Sequence, residues 1–137
     1  MAGPHRAVNS EELLPPVGFS HAVVAAPGRL VYLGGQTGHH ADGSLPSGIV
    51  AQFEQAARNL RVALGAAGAT PEHLTALQIY VTDMTAYRAS LREIGAAYRR
   101  HLGRHYPAIA LLGVACLFDP AALVELVATA VVPSDHD

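Results

Sequence analysis

The apolar positions of the chain recur at two different spacings, and the longer of these predicts two helices. Between 49 and 64 apolar residues return every three or four positions, which is typical of a helix with one buried face. Ser47 is expected to cap this helix and Gly68 to end it. The same spacing predicts a second helix over about 83–102, which Gly103 ends.

Alternating and continuous apolar runs predict five strands. These are expected at 21–26, 29–33, 74–82, 108–117 and 122–132. Pro27 and Gly28 are expected to form a tight turn between the first two strands. Gly34 and Gly35 are expected to break the second strand or to form a bulge in it. The predicted order is therefore strand, strand, helix, strand, helix, strand, strand.

This order predicts a single two-layer α+β domain over 1–137, with two helices on one face of a mixed sheet. The core is expected over about 16–132, between a loose arm at 1–15 and a polar tail at 133–137. The strands are apolar on both faces, whereas two helices cover only one. Another copy of the chain is the simplest cover for the second face, so the pattern favours a homo-oligomer.

Composition narrows the range of partners. Only 15% of the residues are charged, against about 25% in average proteins, and 50% are hydrophobic. A net charge of -2 without a basic cluster argues against nucleic acid as the main partner. No run reaches the roughly 20 apolar residues of a membrane span, and the N-terminus lacks the apolar core of an export signal. A single cysteine, Cys116, allows no intrachain disulfide, and we expect a cytoplasmic protein.

The basic residues and histidines also exclude several kinds of chemistry. All nine basic residues are arginine, so no lysine can form a Schiff base or attach pyridoxal phosphate. The P-loop pattern is absent as well, and no cofactor is expected. His39 and His40 are adjacent on a loop without a further spaced ligand, so no metal site is predicted. His101 and His105 are expected at the surface or at an interface.

Glu125 is the strongest functional candidate, because it lies in an almost wholly apolar run at 121–132. A carboxylate in such a run must be paired, neutralised or aimed into a polar pocket. The alternation of a strand places it on one face with Leu123, Val127 and Thr129. It is either a satisfied core or interface carboxylate or a catalytic group, and the residue alone favours neither.

Several short motifs follow one another over more than a hundred residues. They are Pro16-Val17-Gly18-Phe19-Ser20-His21-Ala22-Val23, Leu33-Gly34-Gly35-Gln36, Gln52, the helix from Asn59-Leu60 to Ala67-Gly68, Tyr80-Val81-Thr82-Asp83-Met84, Tyr106-Pro107-Ala108 and Leu123-Val124-Glu125. In order and spacing these motifs resemble the RidA/YjgF family, also called L-PSP, over about 16–132. The resemblance implies a chorismate-mutase-like fold and a homotrimer with a cleft between each pair of subunits.

Members of that family with established chemistry hydrolyse reactive enamines and imines, such as 2-aminoacrylate, to keto acids and ammonia. By resemblance, Glu125 positions or activates the attacking water, Phe19 replaces a tyrosine in the cleft, and Gly34 and Gly35 offer backbone groups. Ile109 stands where the family has an arginine that clamps the substrate carboxylate, in the same wall as Glu125. Because isoleucine cannot pair with a carboxylate, we expect a more apolar cleft and a poor 2-aminoacrylate deaminase.

Other residues are weaker candidates. The arginines of the second helix are expected to form a solvated face, and Arg92 is the one best placed to replace the missing cation. His21, at the start of a strand, is the histidine expected to reach the cleft. Cys116 is a further cleft candidate, although its apolar surroundings indicate a small buried side chain rather than a nucleophile. Ser20, His21 and Asp83 lack the sequence context of a catalytic triad.

These residues bear on three possible functions. The first is an enzyme in which Glu125, in an apolar cleft between subunits, acts as general base or water-holder on an imine, enamine or related unstable intermediate. Hydrolysis, tautomerisation, dehydration and cyclisation all suit such a site. The second is a trimer that binds or senses a small apolar metabolite without turnover, which Ile109 and Phe19 favour. RNA cleavage is the third, and the acidic chain argues against it. The presence of Glu125 favours the enzyme.

Overall fold

The computed structural model describes residues 3–134. Its strands are β1 (Arg6–Val8), β2 (Ala22–Val24), β3 (Gly28–Thr37), β4 (Leu74–Val81), β5 (Ala108–Gly113) and β6 (Val124–Pro133). Its helices are α1 (Ile49–Ala66), α2 (Met84–Ala89) and α3 (Leu91–Leu102), and a short 3-10 helix, Pro71–His73, precedes β4.

Four strands form the main sheet in the order β3-β6-β4-β5, and residues of α1 and α3 share its hydrophobic core. β4 and β5 run parallel, while the other neighbours are antiparallel. This arrangement confirms the predicted two-layer α+β fold with a mixed sheet. The register of β3 against β6 shifts between Leu33 and Gln36, so the irregularity expected at Gly34 and Gly35 is a β-bulge.

The prediction of a loose arm at 1–15 is wrong for Arg6–Val8, which form a strand. β1 pairs antiparallel with β2, and the buried ring of His5 fixes this segment. Nδ1 of His5 accepts the N–H of Ala26 at 3.0 Å, and Nε2 donates to the carbonyl oxygens of Val131 and His73 at 2.9 and 3.1 Å. The two carbonyl groups are distant in sequence, so the local pattern gives no sign of these contacts.

The helices differ from the prediction in two details. α1 begins after Gly48, whose φ of 90° suits glycine, and the side chain of Ser47 does not cap it. Ser90 divides the predicted second helix into α2 and α3. The Asp83 side chain caps α2 by accepting the N–H of Ala86 at 2.9 Å.

The last two strands end at other positions than expected. β5 stops at Gly113 rather than at 117, so Cys116 lies in the following loop. β6 extends to Pro133, which the sequence pattern assigns to the tail. Residues 1–2 of the predicted arm and 135–137 of the predicted tail lie outside the described residues.

The two faces of the main sheet are covered differently. On β6, Val124, Leu126, Ala128 and Ala130 are buried in the core shared with the helices. The opposite face, which we call the open face, carries Leu30, Tyr32, Ala76, Gln78, Tyr80, Ala110, Leu112, Glu125, Val127 and Thr129. On this face Tyr32 is 77% exposed. The single chain thus leaves apolar surface uncovered, and its burial by a second copy stays a prediction.

An ion pair joins α1 to α3. Arg100 donates two hydrogen bonds to the Glu54 carboxylate, at 2.8 and 3.1 Å, and His101 makes a third at 3.2 Å. The hydrogen bond from Arg100 is the main reason that the pKa of Glu54 lies below its ordinary value. Burial opposes this effect, and His101 adds to it.

A pH-dependent contribution to stability is expected from this pair. A lowered carboxyl pKa stabilises the fold above the unfolded-state pKa, and the stabilisation is lost as the pH falls through the folded-state pKa. Glu54→Gln should therefore lower the melting temperature by at most a few degrees near pH 7, with the difference shrinking below about pH 4. Thermal denaturation of both proteins across this range provides the measurement. A difference that stays constant down to acid pH would contradict the expectation.

Candidate functional site

Glu125 lies on the open face, at the start of β6. Its Cα partners are Thr37 of β3 and Tyr80 of β4, and its side chain is half-buried. Among residues 3–134, the ion pairs and side-chain hydrogen bonds involve other groups and leave its carboxylate without a partner. A partly buried carboxylate of this kind is available to water or to a ligand.

Gly35 makes room for this carboxylate. A Cβ atom at position 35 would overlap Oε2 of Glu125 and lie 2.8 Å from the carboxyl carbon. A Cβ atom at Gly34 would meet nothing within 4 Å. The two glycines therefore differ in role, because only at Gly35 does the missing side chain allow the backbone of β3 to approach Glu125.

A chain of hydrogen bonds runs from the end of β3 to the loop before β6. Oγ1 of Thr37, the Cα partner of Glu125, lies 2.6 Å from Nδ1 of His39, and Nε2 of His39 lies 2.8 Å from Oδ2 of Asp119. The N–H of Ala121 and then the His39 ring lower the pKa of Asp119. His39, expected as a surface group, thus links the two loops beside Glu125.

Two side-chain amides hold the same loops. Gln52 is buried, its Nε2 donates to the carbonyl oxygens of Pro46 and Ala121 at 3.1 and 3.2 Å, and its Oε1 accepts the N–H of Leu123 at 2.7 Å. Asn59 of α1 donates to two carbonyl oxygens, at 2.9 and 2.8 Å, at the end of β3 and just beyond it. These bonds fix the strand ends that carry and flank Glu125.

A cavity of about 550 Å³ lies on the other side of the sheet, and we call it the helix-side cavity. Its walls come from β5, from α2 and α3 and from the segment before β2, and they include Phe19, Tyr106, Ile109 and Leu111. The lining is apolar or aromatic apart from Arg99. Both the size and the character of the walls are typical of small-molecule sites.

Ile109 and Glu125 lie on opposite faces of the main sheet. Ile109 is the Cα partner of Leu77, which is 1% exposed in the core, whereas Glu125 lies on the open face. The expectation that the two positions share one wall is therefore wrong within a single chain. Phe19 lines the helix-side cavity with Ile109, and Gly35 stays with Glu125. The candidate residues thus form two groups.

His21 holds the N-terminal segment in place. Its Nδ1 accepts the N–H of Ser10 at 3.0 Å, and its Nε2 donates to the carbonyl oxygen of Leu14 at 2.7 Å. Its ring also lies near Phe19, with the two ring centroids 6.0 Å apart. Both ring nitrogens are therefore engaged, so in this conformation the imidazole has no nitrogen left for proton transfer.

Three other residues, Cys116, His105 and Ser20, lie outside both groups. Cys116 is exposed, so the prediction of a buried side chain is wrong, because β5 ends before it. His105, expected at the surface or an interface, is 3% exposed and donates Nε2 to the carbonyl oxygen of Leu74 at 2.8 Å. Ser20 donates Oγ to the carbonyl oxygen of Tyr106 at 2.8 Å. A backbone partner satisfies the Ser20 hydroxyl, whereas Nδ1 of His105 is buried without a hydrogen-bond partner among residues 3–134.

Arg99, rather than Arg92, lines the helix-side cavity. Its Nη1 lies 3.3 Å from the position of a Cβ atom on Gly95, so the guanidinium folds back along α3 over that glycine. Gly95 and Arg99 are four residues apart and share one helix face. This spacing is the signal by which the sequence could have pointed to Arg99.

Within the described range, no three His, Cys, Asp or Glu side chains gather into a group that could hold a metal ion. The described helices also lack the length and hydropathy that a membrane span requires. The expectation that the protein needs no metal stays a prediction.

Comparisons with known proteins agree with the fold. A family model described as Endoribonuclease L-PSP matches residues 10–132. The mitochondrial protein MMF1 of Saccharomyces cerevisiae is 25% identical over 109 residues, covering 79% of this chain and 72% of the yeast protein. The structure of YyfB from Yersinia pestis, described as a Rid-family protein of unknown function, has a TM-score of 0.84 and 35% identity, covering 94% of this chain and 99% of that one. Rv2704 from Mycobacterium tuberculosis, of the YjgF/YER057c/UK114 family, is 34% identical with a TM-score of 0.60, covering 93% and 99%.

The fold and its two residue groups define a class: a two-layer α+β protein whose sheet has an apolar cavity on one face and, on the other, a carboxylate without a partner among residues 3–134. The chain belongs to the L-PSP family, whose related structures are also described as Rid or YjgF proteins. This confirms the family that the motifs over 16–132 indicate. YyfB is described as a protein of unknown function, and a related structure from Thermotoga maritima as a putative endoribonuclease, so the activity is argued from the site.

Proposed function

We propose that this protein is an enzyme that acts on imines, enamines or related unstable intermediates, with Glu125 as the base that holds or activates water. The observation that carries the proposal is the Glu125 carboxylate, which is half-buried, packs over Gly35 and has no partner among the described side chains. A carboxylate that is partly shielded from solvent and free of cations is suited to accept a proton.

The rest of the site is proposed to come from another copy of the chain. Glu125 and the helix-side cavity lie on opposite faces of one sheet, so a single chain does not present both to one substrate. The apolar open face needs a cover, and a homotrimer would supply it. In that assembly, Glu125 of the partner subunit would face the cavity that contains Phe19 and Ile109.

Hydrolysis of an imine illustrates the proposed chemistry. Glu125 accepts a proton from water while the water oxygen bonds to the imine carbon, and the C=N π electrons move to nitrogen. The carboxyl group then returns its proton to nitrogen, which gives a carbinolamine. Glu125 next accepts the hydroxyl proton and passes it to the amino nitrogen as the C–N bond breaks, so that a carbonyl group and ammonia form. One imine and one water become one carbonyl compound and one ammonia, so the reaction needs neither an oxidant nor a cofactor. The apolar walls would limit competing reactions with bulk water.

A second candidate is a trimeric protein that binds a small apolar metabolite without turnover. The apolar lining around Ile109 and Phe19 favours it, because neither side chain can donate a hydrogen bond to a reacting group. RNA cleavage is not proposed, since the net charge is -2 and the sequence has no basic cluster.

Two inactive variants would test both the base and the shared site. The substrate would be the imine formed from L-phenylalanine by an amino-acid oxidase, and the readout would be keto-acid formation above the uncatalysed rate. Glu125→Gln removes the base and Leu111→Trp fills the cavity, so each should lose activity. When equal amounts are dissociated and reassembled together, about a quarter of the wild-type activity should return, because that share of clefts combines two intact walls.

The outcomes separate the candidates. Wild-type protein that binds phenylpyruvate but turns over none of the imine would favour the binding protein. Turnover that depends on Glu125 but does not recover in the mixture would place the whole site in one chain and contradict the shared cleft.

A further inference from the structure

Arg99 is the charged residue in the lining of the helix-side cavity. It lies on the exposed side of α3, and its guanidinium reaches back toward Gly95 at the cavity wall. The rest of the wall is apolar or aromatic, and Leu91 and Phe19 are 57% and 37% exposed. The cavity therefore combines open apolar surface with a single cation.

Arg100, the next residue in the chain, has an acidic partner, whereas Arg99 has none among residues 3–134. Arg100 donates two hydrogen bonds to Glu54, at 2.8 and 3.1 Å, and so has a structural partner. Among residues 3–134, the ion pairs leave Arg99 without an acidic partner. A guanidinium beside an apolar cavity has its full set of donors available for an anion.

Gly95 supports this arrangement. Glycine in the middle of a helix is destabilising relative to alanine. Here a Cβ atom would lie 3.3 Å from Nη1 of Arg99, so the guanidinium would have to shift by a few tenths of an ångström. The glycine thus lets the cation lie flat on α3 beside the apolar lining.

We infer that the helix-side cavity takes carboxylates that carry an apolar or aromatic body, with Arg99 pairing the carboxylate and the walls around Ile109 enclosing the body. Guanidinium matches the planar geometry of a carboxylate with two hydrogen bonds. A cavity of about 550 Å³ is large for a three-carbon acid and suits a body of aromatic size. The inference deepens the proposed function, because it names the ligand class of the same cavity.

Calorimetric titration of the assembled protein would test the pairing with two matched probes. 3-Phenylpropionate carries the carboxylate, and 3-phenylpropanamide has the same body without the charge. Wild-type protein should bind the acid at least about ten-fold more tightly than the amide. Arg99→Gln should abolish this preference, Arg99→Lys should retain part of it, and Arg100→Gln should leave it unchanged.

Several results would overturn the inference. They are equal affinity of the wild type for both probes, binding of neither probe, and a preference for the acid that survives in Arg99→Gln. The binding assay does not depend on turnover, so a failure of this inference can be distinguished from a failure of the proposed function. An acid preference that depends on Arg99 would stand even if no imine is hydrolysed, and hydrolysis that depends on Glu125 would stand even if Arg99 proves irrelevant.

Discussion

Glu125→Gln is expected to lower turnover by roughly 10²- to 10⁴-fold, the usual contribution of a positioned general base. The amide keeps the size of the side chain but cannot accept a proton from water. Because the carboxylate has no ion pair or hydrogen bond among the described residues, the free energy of unfolding should change by less than about 1 kcal/mol. Urea denaturation beside the imine assay measures both quantities. Full activity of this variant would make Glu125 a structural residue.

Gly35→Ala and Gly34→Ala form a matched pair that tests the same carboxylate without replacing it. Neither glycine has a positive φ, so alanine can adopt the backbone at both positions. A methyl group at position 35 overlaps Oε2 of Glu125 and must displace it, whereas position 34 is open. A displacement of about 1 Å costs on the order of 10²-fold in rate, so only Gly35→Ala should lose activity. Equal activity of both variants would show that the position of the carboxylate is unimportant.

The sequence predicted the long regular elements well because their patterns are local. α1 and β6 each carry an apolar period over ten or more residues, and both lie where the period indicates. β1 has only three residues, and it forms because β2 pairs with it and because His5 reaches the carbonyl oxygens of distant residues. A strand of three residues is too short to show a periodic pattern from which it could be predicted.

The sequence indicated several residues of the candidate site but not how they are arranged in space. The resemblance identified Glu125, Gly35, Phe19 and Ile109, and the structure places each of them at a cavity or beside the carboxylate. The sequence could not show that these residues lie on two faces of the sheet. Side chains alternate between faces only within one strand, and a loop of unknown conformation separates β5 from β6. Arg99 was missed because five arginines of one helix region look alike until their neighbours in space are known.

Val127→Arg is expected to dissociate the assembly and to abolish turnover together with it. Val127 lies on the open face, two residues after Glu125, where a second copy is predicted to pack. A guanidinium there could reach only the Glu125 carboxylate of its own strand face, and burying it in an apolar contact would cost several kcal/mol at each subunit contact, enough to favour monomers at micromolar concentration. Val62→Arg is the matched control, since Val62 is 54% exposed on α1. Sedimentation velocity should show a trimer for the wild type and the control and a monomer for Val127→Arg. A monomeric wild type, or a trimer that tolerates Val127→Arg, would remove the physical basis for a site shared between subunits.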